Sequence, residues 1–244
     1  MSTRRDKLPS LQIGDVPTVR SIVRQKLRDA IISGTLVQGQ RLVERELCEM
    51  TGVSRASIWE AMRWLEAEGL VTMVPHRWPV VSTLTFEEAE QLYRARALLE
   101  GFAGRECARL RDPETVRDLK DAVARLKAAA AAMDMGELLA AKTKFYAVLM
   151  TGCHNTFIAN MLRPLHDRIT VLRTTSMSQP GRINMSLKEV TAIVEAIERG
   201  DPVAAEKCCI DHIEAAATAA LQMIRPDGQV PSQSQGSQKW RDRA

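Results

Sequence analysis

Arg45, Ser54, Arg55, Ser57, Trp59 and Arg63 gather in and just before the stretch LCEMTGVSRASIWEAMRWLEAEGL, residues 47–70. An arginine on the first turn of a helix can fork onto guanine O6 and N7 in a major groove, or hold a phosphate. Serine hydroxyls suit phosphate oxygens. An indole differs from both, because it brings one donor and a flat apolar face. Trp59 therefore cannot read a guanine in bidentate fashion. It can meet a thymine methyl, or it can pack against a neighbouring helix or at an interface. The chemistry on offer is base-edge and phosphate recognition.

Such side chains act together only if two short helices meet at a tight turn. Gly52 lies four residues after Cys48 and six before Ile58, with Val53 just beyond it. The glycine supplies a turn with φ > 0, small Cys48 lets the helices approach, and the apolar residues join them. Ser54 is placed to cap the second helix, and Ile58, Ala61, Met62 and Leu65 recur at helical spacing. This predicts a helix-turn-helix with helices over about 44–50 and 54–68. An earlier helix runs from Thr18 to about Ser33 on the stripe Val19, Ile22, Val23, Leu27, Ala30 and Ile31, and Gly34 ends it. The runs VTMV and PVVS flank Pro75-His76-Arg77-Trp78, which predicts a hairpin wing with His76 and Arg77 near the phosphates.

Beyond Leu84 the strand signals cease. Thr85 can cap a helix over 86–110, and Asp112-Pro113 opens another that ends in an alanine tract. Further helices are expected over about 135–150, 155–176, 186–199 and 202–224. The predicted class is mainly α: an N-terminal winged helix-turn-helix of three helices plus a β-hairpin wing, then an all-α six-helix bundle. The expected divisions are a flexible arm over 1–16, a DNA-binding domain over 17–83, a helical domain over 84–225 and a disordered polar tail over 226–244.

Composition permits this reading without carrying it. The 244 residues are 45% hydrophobic and 26% charged, the profile of an ordinary globular chain. The start, MSTRRDKLPS, has no apolar core for a signal peptide, and no apolar run reaches the roughly 18 residues of a membrane span. With five cysteines and no C-x-x-C pair, reduced thiols and a cytoplasmic setting are expected. Net charge is +4; residues 1–85 hold twelve basic against nine acidic residues, while 86–225 balance nineteen against nineteen. That bias agrees with phosphate contact but is a faint footprint. No G-x-S-x-G, P-loop or H-E-x-x-H pattern occurs, so an enzyme is not expected. The competing reading is an interaction or scaffold protein whose helix-turn-helix no longer reads DNA.

The residues Gly34-Thr-Leu-x-x-Gly39-x-x-Leu42-x-Glu44-x-Glu46-Leu47, Gly52-Val-Ser-Arg55 and Glu60-Ala61-x-x-x-Leu65-x-x-Glu68-Gly69-Leu70-Val71 closely resemble the GntR family of bacterial regulators. The second half resembles that family's FadR-like branch, which carries an all-helical ligand-sensing FCD domain. Its R-x-x-L-E pattern is met by Arg96 to Glu100, and its last two helices by Ala196-Ile197-x-x-Gly200-Asp201 and Asp211-His212. The resemblance implies a homodimeric transcription factor, repressing by default, on a short palindromic operator. A small metabolite in the helical domain would alter DNA affinity. It also marks two departures: position 59 is usually arginine, and a glycine usually follows the basic wing residue where Trp78 stands here.

The same resemblance implies a metal that this chain is poorly furnished to hold. Many domains of the branch bind a divalent ion through an aspartate and three histidines. Flanking residues put Lys142 at the aspartate, Tyr146 and Val190 at the first two histidines, and His212 at the third. One ligand of four cannot hold zinc. The chain's four histidines show no ligand spacing either, and His154 and His166 read as surface or capping residues. No metal and no cofactor are expected. Lys142 in place of the cation would attract a carboxylate or a phosphate, unless it simply faces solvent. The candidate pocket is Arg96, Lys142, Tyr146, Arg173 and His212.

Overall fold

The computed structural model describes residues 18–75, 77–177 and 179–224. The arm expected over 1–16, the wing residue His76 and the tail expected over 226–244 lie outside the described residues.

Helix α1 (Val19–Ile32) starts where the Thr18 hydroxyl accepts the Ser21 N–H. Helices α2 (Glu44–Thr51) and α3 (Arg55–Ala67) meet at Gly52, whose φ of 69° makes the left-handed turn that side chains disfavour. Ile58, Met62 and Leu65 are fully buried against Leu27, Ile31 and Leu47. Burial of each large side chain stabilises the unit by about 1.5–3 kcal/mol. Strands β1 (Val71–Thr72) and β2 (Val80–Val81) pair antiparallel, Val71 opposite Val81. They are shorter than VTMV and PVVS because Pro75 and Pro79 have no N–H to give a ladder. The Pro79 carbonyl instead accepts the Leu42 N–H at 2.7 Å, and Arg41 bridges to Val80, tying the wing to the segment before α2.

The second unit is built of α4 (Phe86–Leu110), α5 (Pro113–Ala131), α6 (Met135–Gly152), α7 (Thr156–Met177), α8 (Arg182–Arg199) and α9 (Pro202–Met223). Thr85 and Glu88 form a reciprocal capping box at the start of α4. Helix α8 begins four residues before the expected Ser186, because Gly181 turns the chain at φ 76° directly into it. Arg182 and Ser186, one turn apart, thereby face inward together. Helices α4 and α9 pack backbone to backbone: a Cβ on Gly104 would lie 2.5 Å from the Cys209 sulfur. That approach brings Arg96 and Glu100 on one helix opposite His212 on the other.

Candidate functional site

The polar face of the helix-turn-helix is organised by one carboxylate. Glu44, the first residue of α2, accepts the Trp59 indole N–H at 2.6 Å and lies 2.8 Å from Arg55 Nε. Trp59 is half-buried against the helix-turn-helix core, so its packing reading is met in part. Its ring also lines a cleft of about 730 Å³ with Arg41, Arg77 and Trp78. Arg45, Arg55, Arg63 and Arg77 are exposed, and Arg45 and Arg55 have acidic neighbours (Glu49 and Glu44) that compete weakly with a phosphate. Ser54 caps α3, with its hydroxyl 3.1 Å from that of Ser57. Sequence reading gave no role to Glu44 as the clamp or to Arg41 in the cleft, since both meet Trp59 only across separate segments of the chain.

The helical unit brings together all five of its candidates. Arg96, Lys142, Tyr146, Arg173 and His212 line one pocket with Tyr93, Ser176, Arg182 and Ser186. Lys142 is 3% exposed, which disposes of the solvent-facing reading. Its amine donates to Ser186 Oγ at 2.5 Å and lies 3.1 Å from His212 Nε2. The Tyr146 hydroxyl reaches the same ring nitrogen at 2.9 Å. On the other side of that ring, Nδ1 is 2.5 Å from Glu189 Oε2, and Arg182 holds both Glu189 oxygens at 2.9 Å. A carboxylate only accepts, so the His212 proton sits on Nδ1 and the Nε2 lone pair faces Lys142 and Tyr146.

The sequence reading missed the lining residues Tyr93, Ser176, Arg182 and Ser186, and the charged groups behind the lining, Glu100, His166 and Glu189. Glu100 pairs with Arg96 at 2.7 Å, an i,i+4 contact that the R-x-x-L-E pattern already contained. His166 corrects the expectation of a surface or capping residue. It is 7% exposed, accepts from Arg173 at Nδ1 (3.1 Å), and lies against the Tyr146 ring at 4.4 Å between centroids. Its Nε2 stands 3.2 Å from Glu100 without lining up for a hydrogen bond. His154 is exposed, with φ 50° after the end of α6.

Burial and charge shift these groups strongly. Burial, reinforced by Arg173 and Arg182, drives the Lys142 amine well below the usual lysine range. Burial, with Lys142 beside it, lowers His212 to about 3, and burial lowers His166 to about 4. Burial would raise Glu100 and Glu189, but Arg96 and His166 on one, and His212 and Arg182 on the other, hold both at about 2. Among the described residues Arg173 forms no ion pair with a carboxylate, and Arg96 Nη2 is buried with no hydrogen-bond partner. The free space is about 20 Å³, room for one water.

The donor set does not fit a divalent metal. Lys142 Nζ stands where an ion held by His212 Nε2 would have to sit, and an ammonium or amine there excludes it. Val190 is a fully buried core residue with no donor atom, and the oxygen near it in the pocket is Ser186, one turn earlier. Among the described residues no three His, Cys, Asp or Glu side chains form a metal-sized cluster.

Helix α7 touches both units. His166 and Arg173 face the pocket, while Asp167 lies 3.6 Å from Arg28 on α1, which also pairs with Glu68 at the end of α3. The pocket and the end of the recognition helix are therefore joined through consecutive residues of one helix.

A winged helix-turn-helix attached to an all-helical unit defines the class of DNA-binding transcriptional regulators. The chain matches the description "Bacterial regulatory proteins, gntR family" over residues 20–77 and the FCD domain over residues 91–215. It is 28% identical over 188 residues to the uncharacterised HTH-type regulator YdhC of Bacillus subtilis, covering 77% of this chain and 84% of the relative. It is 29% identical over 201 residues to a probable D-xylose utilization operon repressor of Paenarthrobacter nicotinovorans, covering 81% and 87%. A solved putative GntR regulator from Rhodococcus sp. RHA1 superimposes with a TM-score of 0.71 at 26% identity, over 84% of this chain and 99% of that one. The chain belongs to the GntR family, with an FCD domain. It is a transcriptional regulator and not an enzyme. No helix of the described residues is long and apolar enough to cross a membrane.

Proposed function

We propose that the protein represses transcription as a homodimer on a palindromic operator and is released or retained by a small acidic effector. Three buried guanidinium groups, Arg96, Arg173 and Arg182, surround the Lys142 amine and share two carboxylates, Glu100 and Glu189, among the described residues. This is the observation that carries the reading. Buried charge without a partner is costly, so a carboxylate or phosphate in the pocket would relieve it. Arg173 is the best-placed anchor, since it has no acidic partner among the described residues. The reading is metal-free: Lys142 takes the ion's place, and its protonation would follow binding of the acid.

On the DNA side, Arg55 and Arg45 with Ser54, Ser57 and Arg63 would meet the major groove, and Arg77 the phosphates beside it. The Trp59 face, with its N–H already held by Glu44, would meet a thymine methyl. A two-fold operator asks for a two-fold protein. Exposed Leu98 and Phe102 on α4, and Phe157 and Met161 on α7, each an i,i+4 apolar pair, suit contact with a second copy. Repression follows the relative named as a repressor. The Arg28–Asp167 contact would carry the pocket's state to α3.

A mobility shift with promoter fragments tests the reading. Arg55→Ala should weaken specific retention by about 1–3 kcal/mol. Small carboxylic and phosphorylated acids, added in turn, should change the wild-type shift. No retained fragment at low salt would sink the regulator mechanism as drawn, and indifference to every acid would sink the effector class.

A further inference from the structure

Lys142 is oddly provided for if its only task is to be a cation. A buried ammonium is ordinarily held by a carboxylate, yet its direct polar contacts are the Ser186 hydroxyl at 2.5 Å and the His212 ring at 3.1 Å. Glu189, the carboxylate beyond His212, is occupied by Arg182 on both oxygens and by His212. The guanidinium groups of Arg96, Arg173 and Arg182 surround the amine instead. Like charges on every side favour the neutral amine, and a neutral lysine amine is a nucleophile. The groups beside it are those that capture of a carbonyl requires. His212 Nε2 offers a lone pair, the Tyr146 hydroxyl is 2.9 Å from the same nitrogen, and the Arg173 guanidinium pairs with no carboxylate among the described residues.

We infer that Lys142 captures its effector covalently: the effector is an oxo acid, with an aldehyde or ketone beside its carboxylate, and it condenses with the Lys142 amine to a reversible imine. The inference rests on the acid-binding reading of this pocket and narrows it to a chemical class. The carboxylate sits on Arg173, with Arg96 Nη2 as a second donor. The Nζ lone pair attacks the carbonyl carbon while Nζ gives a proton to His212 Nε2 and the carbonyl oxygen takes one from Tyr146. In the resulting carbinolamine the C–O bond breaks as the nitrogen lone pair forms C=N. The oxygen leaves with the proton returned by His212, as water, and the second Nζ proton restores the Tyr146 phenol. One amine and one carbonyl become one imine and one water, with no change of oxidation state. Loss of the amine from the Ser186 and His212 contacts is the change that α8 and α9 would register.

The free space is only about 20 Å³, so entry of any acid requires pocket side chains to move apart, least for the smallest oxo acid, which is therefore the probe. The full-length wild-type protein is incubated with glyoxylate and sodium cyanoborohydride, which reduces an imine to a stable secondary amine, and the adduct is located by peptide mass spectrometry. One carboxymethyl group per chain is expected on Lys142, formed at least about tenfold faster than on exposed Lys120, which pairs with Glu198. Glycolate, which has a hydroxyl in place of the carbonyl, should raise the melting temperature and slow the labelling. Lys142→Arg, which keeps a long hydrogen-bond donor but has no nucleophilic amine, should still be stabilised by glycolate but should lose the fast adduct. Labelling of Lys142 no faster than Lys120 overturns the inference. If glycolate still stabilises the protein in that case, the acid pocket survives and only the covalent step falls. If neither acid shifts the melting temperature and Lys142 is not labelled, both readings fall together.

Discussion

Trp59 and Glu44 stand fifteen residues apart, yet the indole N–H donates to the Glu44 carboxylate at 2.6 Å. The only hydrogen-bond donor on the Trp59 side chain is thereby spent inside the protein, and what remains for a ligand is the ring face. The same carboxylate holds Arg55 at 2.8 Å, so one residue of α2 sets the pose of two on α3.

Trp59→Phe should therefore keep operator affinity to within about 1 kcal/mol, whereas Trp59→Ala should lose about 1–3 kcal/mol with the apolar contact. Quantitative mobility shifts on one operator decide it. Equal losses for the two variants would mean that the N–H leaves Glu44 and is used on DNA.

Lys142→Met should leave operator binding without effector unchanged and abolish the response to an acid. The substitution removes the group that meets the effector without touching the DNA face. Calorimetric titration and a mobility shift on the same preparation check it. An intact response would reduce Lys142 to a packing residue.

Metal analysis is a separate check on the same corner of the pocket. Protein purified without chelators should contain no stoichiometric zinc, nickel or manganese by elemental analysis. One ion per chain would refute Lys142 as the replacement for the cation.

Asp167→Asn should keep acid binding and effector-free operator affinity while shrinking the effect of one on the other. Asp167 pairs with Arg28 at 3.6 Å, and its neighbour His166 lies in the pocket. Coupling through such a contact is worth about 0.5–2 kcal/mol, or a several-fold change in the effector-dependent affinity ratio. An unchanged ratio would move the connection elsewhere.

Stability should depend on acid in a defined window. His212 and His166 are held at about 3 and about 4, against an ordinary value near 6.5, because burial keeps both neutral. A depressed folded-state value means that the unfolded chain binds more protons between the two, so stability rises with pH there. It is fully present above about pH 6.5 and lost as pH falls towards 4, by up to about 1.4 kcal/mol per pH unit for each histidine. Glu100 and Glu189, held at about 2, extend the loss below the usual carboxylate range. Thermal melts from pH 8 to 4 should already decline above about 6.5, because the unfolded chain protonates the Lys142 amine that the fold keeps neutral, and should steepen below it. His212→Gln should flatten the upper part of this steeper slope, and a melting temperature constant from 6.5 to 4.5 would contradict the buried neutral rings.

Local signals read well where the interactions that make an element are themselves local. Thr18, Ser54, Thr85, Asp112 and Asp201 each cap the helix they precede, because a cap joins residues only three apart. Gly52 makes its turn for the same reason. The family was legible from these short-range patterns, whereas the grouping of Arg96, Lys142, Tyr146, Arg173 and His212, which line one pocket, came only through the family resemblance. The sequence did not disclose partners drawn from separate helices. His166, isolated along the chain, looked like a surface residue, and only the packing of α7 against α4 and α6 buries it beside Tyr146, Arg173 and Glu100. Glu189 and Arg182 carry no signal of a role until α8 is laid against α9 and His212. What the sequence alone determined is the kind of protein, because caps, turns and apolar periods act over a few residues. Tertiary structure alone decided that the Trp59 indole N–H is held by Glu44 and that the Lys142 amine is buried among arginines, in contact with Ser186 and His212. Burial and long-range charge set those properties, and neither exists until distant segments meet.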